Sequence, residues 1–173
     1  MRETSIDLHV PELTGLLAPW RDATVDVASK GVPPHVTLLY PWLPAPIVEA
    51  DLDLLRSALA QCPPITLRFH ELRRFEPGVL YLALQDEGTV RRLMQRIQTA
   101  FPALSPYGGS VADPTPHLTV AKASDARQLA ELHAQADRVL SPCLPLEYAR
   151  HQIVVMQEDE RGHWDVRGEI ALD

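Results

Sequence analysis

Two segments of the chain repeat the same five-residue pattern, Pro-His-apolar-Thr-apolar. One is Pro34-His35-Val36-Thr37-Leu38 and the other is Pro116-His117-Leu118-Thr119-Val120. A shuffled chain of this composition would contain only about 0.03 copies of Pro-His-x-Thr, so a matched pair indicates an internal repeat. Any fold proposed for this chain therefore has to use the same local structure twice.

Each copy has the composition of a β-strand that begins after a proline-rich stretch. Side chains on a strand alternate between its two faces, so His35 and Thr37 point the same way while the apolar residues point into the opposite layer. The same holds for His117 and Thr119. If the two strands meet, two imidazoles and two hydroxyls converge on one cleft.

This set of side chains suits the cleavage of a phosphodiester without a metal ion. A neutral histidine can take a proton from the attacking water or hydroxyl, and a protonated one can donate a proton to the leaving oxygen. Histidine serves both purposes because its unperturbed pKa is about 6.5. The Thr37 and Thr119 hydroxyls can bond the nonbridging phosphate oxygens, most usefully in the pentacoordinate transition state.

Strand and helix patterns alternate along the rest of the chain and predict an α+β protein with mainly antiparallel sheet. The predicted strands cover 6–10, 35–40, 65–69, 79–84, 117–123, 147–156 and 164–172. The predicted helices cover 13–25, a stretch from Pro46 to about residue 62, 87–101 and 124–140, the last with Ser124 as its N-cap. Strand pairs 65–69 with 79–84 and 147–156 with 164–172 read as hairpins. No linker divides the chain, so residues 1–173 are expected to form a single domain.

The net charge of −7 and the isoelectric point of about 5.4 argue against an extended nucleic-acid surface. Gripping long nucleic acid requires clustered Lys and Arg to displace counterions. We therefore expect a small substrate or one that is recognised at its end. The two cysteines, Cys62 and Cys143, form no C-x-x-C, and no run is long enough to span a bilayer. We expect a cytoplasmic protein without membrane contact.

Aromatic side chains are candidates for stacking on a base, although core packing is their more common role. They are Tyr40, Trp42, Phe75, Tyr81, Tyr107 and Trp164. Tyr107 is the best candidate, because it lies in the Gly/Pro-rich stretch 102–116 that enters the second motif. Tyr40 and Lys122 each follow their histidine by five positions, and strict alternation places both off the His/Thr face.

The remaining histidines show no metal-binding spacing such as H-E-x-x-H, and a zinc site needs three or four ligands of compatible geometry. We therefore expect no metal and no other cofactor. His9, His70, His133, His151 and His163 are expected to be ordinary surface or strand histidines.

The strings His35-Val36-Thr37-Leu38-Leu39-Tyr40-Pro41 and Pro116-His117-Leu118-Thr119-Val120 resemble the paired HxT motifs of the 2H phosphoesterase superfamily, which includes 2′-5′ RNA ligase-like proteins and cyclic phosphodiesterases. The resemblance implies a bilobal, pseudo-twofold α+β fold of two mainly antiparallel sheets with outer helices around a central cleft. It also implies metal-independent chemistry on 2′,3′-cyclic or 2′-5′ linked phosphates, either as a hydrolase that opens a cyclic phosphodiester or as a reversible RNA-end ligase on 2′-5′ linkages.

Carried over to this chain, the resemblance makes His35 and His117 the acid–base pair and Thr37 and Thr119 the phosphate ligands. Tyr107 and Tyr40 are the candidate substrate contacts. The expected partner is a small nucleotide or an RNA 3′ end, bound by a monomer. Two other readings stay open: a module of the same fold that binds a nucleotide or RNA end without turnover, and a metal hydrolase, which the histidine spacing supports poorly.

Overall fold

The two motif strands lie side by side in the middle of a sheet. The computed structural model describes residues 2–76 and 78–173, within which the chain forms eight strands and four helices. In chain order these are β1 (Thr4–His9), α1 (Thr14–Thr24), β2 (His35–Leu39), α2 (Glu49–Leu59), β3 (Ile65–Phe75), β4 (Val79–Leu84), α3 (Gly88–Ala100), β5 (His117–Lys122), α4 (Ala126–Leu140), β6 (Leu146–Arg150), β7 (Gln152–Glu158) and β8 (Trp164–Ala171).

The strand order is β6-β3-β4-β5-β2-β1-β7-β8, and neighbouring strands run antiparallel throughout. The order is symmetric about the contact between β5 and β2, with four strands on each side. The predicted α+β class and the pseudo-twofold, mainly antiparallel architecture are therefore confirmed. The two predicted sheets are the two halves of this one sheet, which the pairing of β2 with β5 joins.

The helices cover the face of the sheet that turns away from the motif histidines. Helix α1 connects β1 to β2 but packs against β5, whereas α3 connects β4 to β5 but packs against β2. Each half thus covers the motif strand of the other half. Val36 and Leu118 point into this layer and are both fully buried. Burial of the apolar face fixes the register, because a slip by one residue would turn every buried side chain outward.

The prediction of one strand over 147–156 is wrong, because that stretch contains two strands that serve opposite ends of the sheet. β6 pairs with β3 at one end, and β7 pairs with β1 and β8 at the other. His151 lies at the break between them. The predicted cap of the last helix is also one residue off, since the Asp125 side chain accepts the backbone N–H of Gln128 at 2.8 Å.

No helix in the described part of the chain is both long enough and apolar enough to cross a membrane.

Candidate active site

The four motif side chains are brought together by the pairing of β2 with β5. Val36 lies directly opposite Leu118 in this antiparallel pair. Continuing that register puts His35 across from Thr119 and Thr37 across from His117 on the other face. The two histidines therefore occupy one diagonal of a four-cornered site and the two threonines the other. The Cα atoms of diagonal neighbours in such a pair are about 7 to 8 Å apart.

Both imidazole rings are held by the same backbone hydrogen bond. His35 Nδ1 donates to the Pro33 carbonyl at 2.8 Å, and His117 Nδ1 donates to the Thr115 carbonyl at 2.8 Å. A carbonyl oxygen can only accept, so Nδ1 carries the hydrogen in both rings. The Nε2 atoms are left to accept or donate a proton. Each ring thus presents the same nitrogen for chemistry.

His35 sits in a partly buried position near two positive charges. The pKa of His35 is lowered to about 4, chiefly by burial and also by the charges on Arg21 and Lys122, whereas the bond to the Pro33 carbonyl acts to raise it. The Arg21 guanidinium is itself buried and donates to the carbonyls of Val32 and Pro33 at 3.0 and 2.8 Å. His35 is therefore neutral near pH 7 in the absence of an anion.

His117 has a different environment, built from aromatic rings. Phe75 and Tyr81 stack with their ring centroids 4.0 Å apart, and the His117 ring meets both edge to face at 4.9 and 5.3 Å. Burial lowers the pKa of His117, the bond to the Thr115 carbonyl raises it, a charge on His35 lowers it, and the charge of Glu87 raises it. The two histidines are thus alike in their hydrogen bonds and unlike in the charges around them.

Both motif strands contain a β-bulge at the same place, just after the threonine. Between β1 and β2 the pairing steps from Ile6–Leu39 to Asp7–Thr37, so Leu38 is an extra residue. Between β4 and β5 it steps from Leu80–Ala121 to Tyr81–Thr119, so Val120 is an extra residue. The two residues at each bulge are both buried, at 2% exposure or less. Two consecutive inward residues shift the alternation of the strand by one position.

The bulges return Tyr40 and Lys122 to the face that carries the motif histidines and threonines. The prediction that these two residues lie off that face is therefore wrong, because it assumed unbroken alternation. Both side chains line the same cavity as His35 and Thr37. The consecutive apolar pairs Leu38-Leu39 and Val120-Ala121 were the sequence signal for the break.

The cavity beside the first motif has a volume of about 300 Å³. His35 and Thr37 line one side of it, and the aromatic residues Tyr40, Tyr107 and Trp164 line another. Tyr40 lies 6.4 Å from both other rings, centroid to centroid. The predicted candidates Tyr107 and Tyr40 thus lie next to the first motif. His117 and Thr119 lie beyond this cavity, across the pairing of β2 with β5.

The other aromatic candidates lie elsewhere. Phe75 and Tyr81 pack on the His117 ring, and Trp42 is buried against Phe101 with centroids 5.3 Å apart.

The cavity beside the first motif also has charged walls. Its acidic residues are Glu3, Asp7, Asp26 and Glu158, and its basic residues are Lys30 and Lys122.

Strand β1 contributes two polar residues to the site that the sequence did not single out. In the pairing of β1 with β2, Asp7 lies opposite Thr37 and His9 lies opposite His35. The rings of His9 and His35 have their centroids 6.3 Å apart. Burial lowers the pKa of His9 to about 4 and raises the pKa of Asp7 to about 6. The alternation of Asp7 and His9 on a predicted strand was visible, but nothing in the sequence indicated which strand would be their neighbour.

Residues 2–76 and 78–173 contain no group of three or more His, Cys, Asp or Glu side chains arranged to share a metal ion. Cys62 is buried and Cys143 is exposed, and both are free thiols.

The chain is similar to proteins of one family along most of its length. The model of the 2′-5′ RNA ligase superfamily matches residues 10–161, a range that contains both motifs. A predicted phosphoesterase of Geobacillus kaustophilus is 26% identical over 113 residues, which cover 60% of this chain and 60% of that relative. A predicted phosphoesterase of Geobacillus thermodenitrificans is 24% identical over 139 residues, which cover 78% of this chain and 76% of the relative.

Solved structures share the fold at low sequence identity. TT0787 of Thermus thermophilus has a TM-score of 0.61 and 21% identity, covering 99% of this chain and 98% of its own. LigT of Escherichia coli, in a crystal structure with 3′-AMP, has a TM-score of 0.62 and 17% identity, covering 99% and 97%. With the family model matching well over half of its residues, the chain belongs to the 2′-5′ RNA ligase superfamily and has the fold of the 2H phosphoesterases.

Proposed function

We propose that this protein is a metal-independent phosphodiesterase that opens the 2′,3′-cyclic phosphate of a nucleotide or an RNA end. The observation that carries the proposal is the diagonal arrangement of His35 and His117, each with Nδ1–H bonded to a backbone carbonyl. In-line displacement at phosphorus needs a base on one side and an acid on the other. Two equivalent Nε2 atoms on one diagonal of the site can supply both.

In the proposed reaction, one histidine Nε2 accepts a proton from water while the water oxygen forms a bond to phosphorus. The bond from phosphorus to the 2′ or 3′ oxygen breaks, and the other histidine donates its Nε2 proton to that oxygen. The product is a phosphomonoester. The same groups would act on a 2′-5′ linkage, with the second nucleotide leaving in place of the ring oxygen.

We assign the base to His35 and the acid to His117. The charges of Arg21 and Lys122 favour a neutral ring at His35, which is the form a base requires. A protonated His35 would lower the pKa of His117, but once His35 is neutral the carboxylate of Glu87 is the charge that acts on His117, and it favours the protonated form that an acid requires. The pair then starts the reaction with one proton, which the anionic substrate between the rings helps to retain.

Thr37 and Thr119 occupy the other diagonal, where their hydroxyls can donate to the nonbridging oxygens. Such donors accelerate the reaction to the extent that they bond the transition state better than the ground state. Lys122 lines the same cavity as Thr37 and adds a positive charge for the phosphate. The bulge in β5 supports this role, because it turns Lys122 towards the histidine face.

A substrate of nucleotide size fits the cavity better than a long polymer. The volume of about 300 Å³ and the three aromatic walls suit one base, and the acidic residues around it disfavour a run of phosphates. LigT has been crystallised with 3′-AMP, with ATP and with NADP+, which are small nucleotides bound by a protein of the same fold. These observations support a mononucleotide or a single RNA end as the ligand.

The test is incubation of the purified protein with nucleoside 2′,3′-cyclic phosphates in the presence of EDTA, with the products separated by chromatography. We expect conversion to a single phosphomonoester, at a rate that chelation leaves unchanged. Activity that disappears with EDTA and returns with a divalent ion would contradict the mechanism. Tight binding of the cyclic phosphate without product over long incubation would instead identify a binding module.

A further inference from the structure

A buried carboxyl group stands directly beside the proposed phosphate ligand Thr37. Asp7 lies opposite Thr37 in the pairing of β1 with β2, and its side chain is 1% exposed. Asp7 also lines the cavity that contains His35 and Thr37. A carboxylate here would repel an anionic substrate, so its presence in a phosphate site needs a physical explanation.

The two oxygens of Asp7 have different surroundings. Oδ2 accepts a hydrogen bond from the Ser5 hydroxyl, which lies on the same face of the same strand. Oδ1 is buried and makes no hydrogen bond of normal geometry within residues 2–76 and 78–173, and the nearby Thr37 hydroxyl offsets its burial only in part. A buried carboxylate oxygen without a partner destabilises the charged form, because the lost hydration is not replaced. The unpartnered oxygen therefore favours a protonated Asp7.

Charged and titratable groups approach Asp7 from every neighbouring element, and none of those described forms an ion pair with it. Those beside Asp7 or around the shared cavity are Glu3 just before β1, His9 on β1, His35 on β2, Tyr40 just after β2, Lys122 on β5, Glu158 on β7, Tyr107 in the loop before β5, and Arg21, Asp26 and Lys30 on α1 and the loop after it. His9 does not offset the charge near pH 7, because burial lowers its pKa to about 4. Arg21 is committed to two backbone carbonyls.

The ionisation of Asp7 decides the direction of the hydrogen bond at Thr37. A threonine hydroxyl has one proton to donate. An ionised Asp7 is the strongest acceptor near that proton, and it would leave the Thr37 lone pairs facing the substrate anion. A protonated Asp7 can instead donate to the Thr37 oxygen, which frees the Thr37 proton for a phosphoryl oxygen.

We propose that Asp7 is a positioning residue of the anion site, which takes up a proton when an anion binds and donates it in a hydrogen bond to Thr37. The inference rests on the proposed role of Thr37 as a phosphate ligand. Burial already raises the pKa of Asp7 to about 6, against the lowering effects of the Ser5 hydroxyl, His9 and the Thr37 hydroxyl. A bound anion raises it further, because two negative charges at close range disfavour each other.

Calorimetric titration with sulfate tests the proposal, because sulfate keeps its charge across the range from about pH 5 to pH 8. The number of protons taken up per sulfate follows from titrations in two buffers of different ionisation enthalpy. At about pH 7.5 we expect the wild type to take up close to one proton more than Asp7→Asn, which carries a permanent donor. Uptake by the histidines is common to both proteins and cancels in the comparison.

The affinity gives a second readout. At about pH 7.5 only about 3% of Asp7 is protonated if its pKa is about 6, so Asp7→Asn is expected to bind sulfate up to about thirtyfold more tightly than the wild type. Near pH 5 the two affinities should converge. Ser5→Ala removes a hydroxyl that stabilises the Asp7 carboxylate. The change of sulfate affinity with pH should therefore occur at higher pH in this variant than in the wild type. Asp26→Asn removes an exposed acid from the rim of the same cavity and should leave the proton count unchanged.

Equal proton uptake by the wild type and Asp7→Asn would overturn the proposal, and so would weaker binding by Asp7→Asn at every pH. A wild type that binds no sulfate at the cleft would overturn it as well. These outcomes are separate from the test of the proposed function. Hydrolysis of cyclic phosphates with unchanged proton uptake rejects the role of Asp7 alone, whereas the expected uptake without hydrolysis rejects the enzyme alone.

Discussion

Val36 lies directly opposite Leu118 where the two halves of the sheet join, and both side chains point into the helix-covered core. This one pair places the motif histidines on one diagonal of the opposite face and the threonines on the other. The apolar residue at the centre of each motif therefore has a structural task as specific as that of its polar neighbours. The symmetry of the site follows from the symmetry of the pair.

Replacing either His35 or His117 by alanine should lower kcat by about 10²- to 10⁴-fold, the usual contribution of a positioned acid or base. Steady-state kinetics with a nucleoside 2′,3′-cyclic phosphate measure the effect. His133→Ala is the matched control, since His133 lies on α4, which packs against β3 and β4 on the helix side of the sheet. A variant with both histidines replaced that retains wild-type turnover would exclude the proposed mechanism.

Thr37→Ala and Thr119→Ala should each lower kcat by about 10- to 10³-fold, because each removes one donor to the transition-state oxygens. Thr→Ser at either position keeps the hydroxyl and should restore most of the activity. The comparison of alanine with serine isolates the hydrogen bond from the packing of the threonine methyl group. If serine were no better than alanine, the hydroxyl would have no part in catalysis.

Local alternation predicted the α+β class and the shared strand faces of the motif residues, whereas the pseudo-twofold architecture was implied by the resemblance to the 2H phosphoesterases. Alternation predicted the wrong strand face for Tyr40 and Lys122, because a β-bulge is defined by the pairing of two strands. Within a single strand its only trace is a pair of consecutive apolar residues, Leu38-Leu39 or Val120-Ala121. Alternation also missed Asp7, whose importance depends on a neighbour 30 positions away, Thr37. A local sequence pattern does not show which distant strands will pair.

Lys122→Met keeps the apolar stem of the side chain and removes the charge beside His35. We expect KM for a cyclic phosphate to rise by about tenfold, as for the loss of one charge-assisted contact. Because the Lys122 charge helps to lower the pKa of His35, its loss should also raise that pKa. The acidic limb of the plot of kcat/KM against pH should then move to higher pH.

A matched control for Lys122→Met is Arg127→Met, which removes a positive charge from an exposed position on α4. It should leave both KM and the pH profile unchanged. A rise in KM of equal size in both variants would mean that Lys122 acts only through the net charge of the protein.

The pH dependence of the wild type should be bell-shaped, since one histidine must be neutral and the other protonated. In the free protein, burial lowers the pKa values of both His35 and His117, so the optimum of kcat/KM should lie on the acidic side of pH 7. An anionic substrate favours the imidazolium form and raises these pKa values in the complex. The optimum of kcat should therefore lie at higher pH than that of kcat/KM, and the reverse order would contradict the model.

Asp7→Asn should stabilise the fold at neutral pH and have little effect near pH 4. The pKa of Asp7 is raised from 3.8 to about 6, so between these values the unfolded chain releases the proton before the folded protein does. Stability then falls as the pH rises through this window and stays lower above it. We expect the variant to gain about 3 kcal/mol in free energy of unfolding at about pH 7.5, measured by urea denaturation.

The lowered pKa values of His9 and His35 have the opposite effect, because the folded protein then binds fewer protons than the unfolded chain between about pH 4 and pH 6.5. This contribution is present in both proteins and cancels in the difference between them. Asp26→Asn, at an exposed position on the same cavity, should show no comparable gain. A loss of stability in Asp7→Asn at both pH values would mean that the carboxylate is satisfied in the folded state, and that Asp7 is held there by interactions of its charged form.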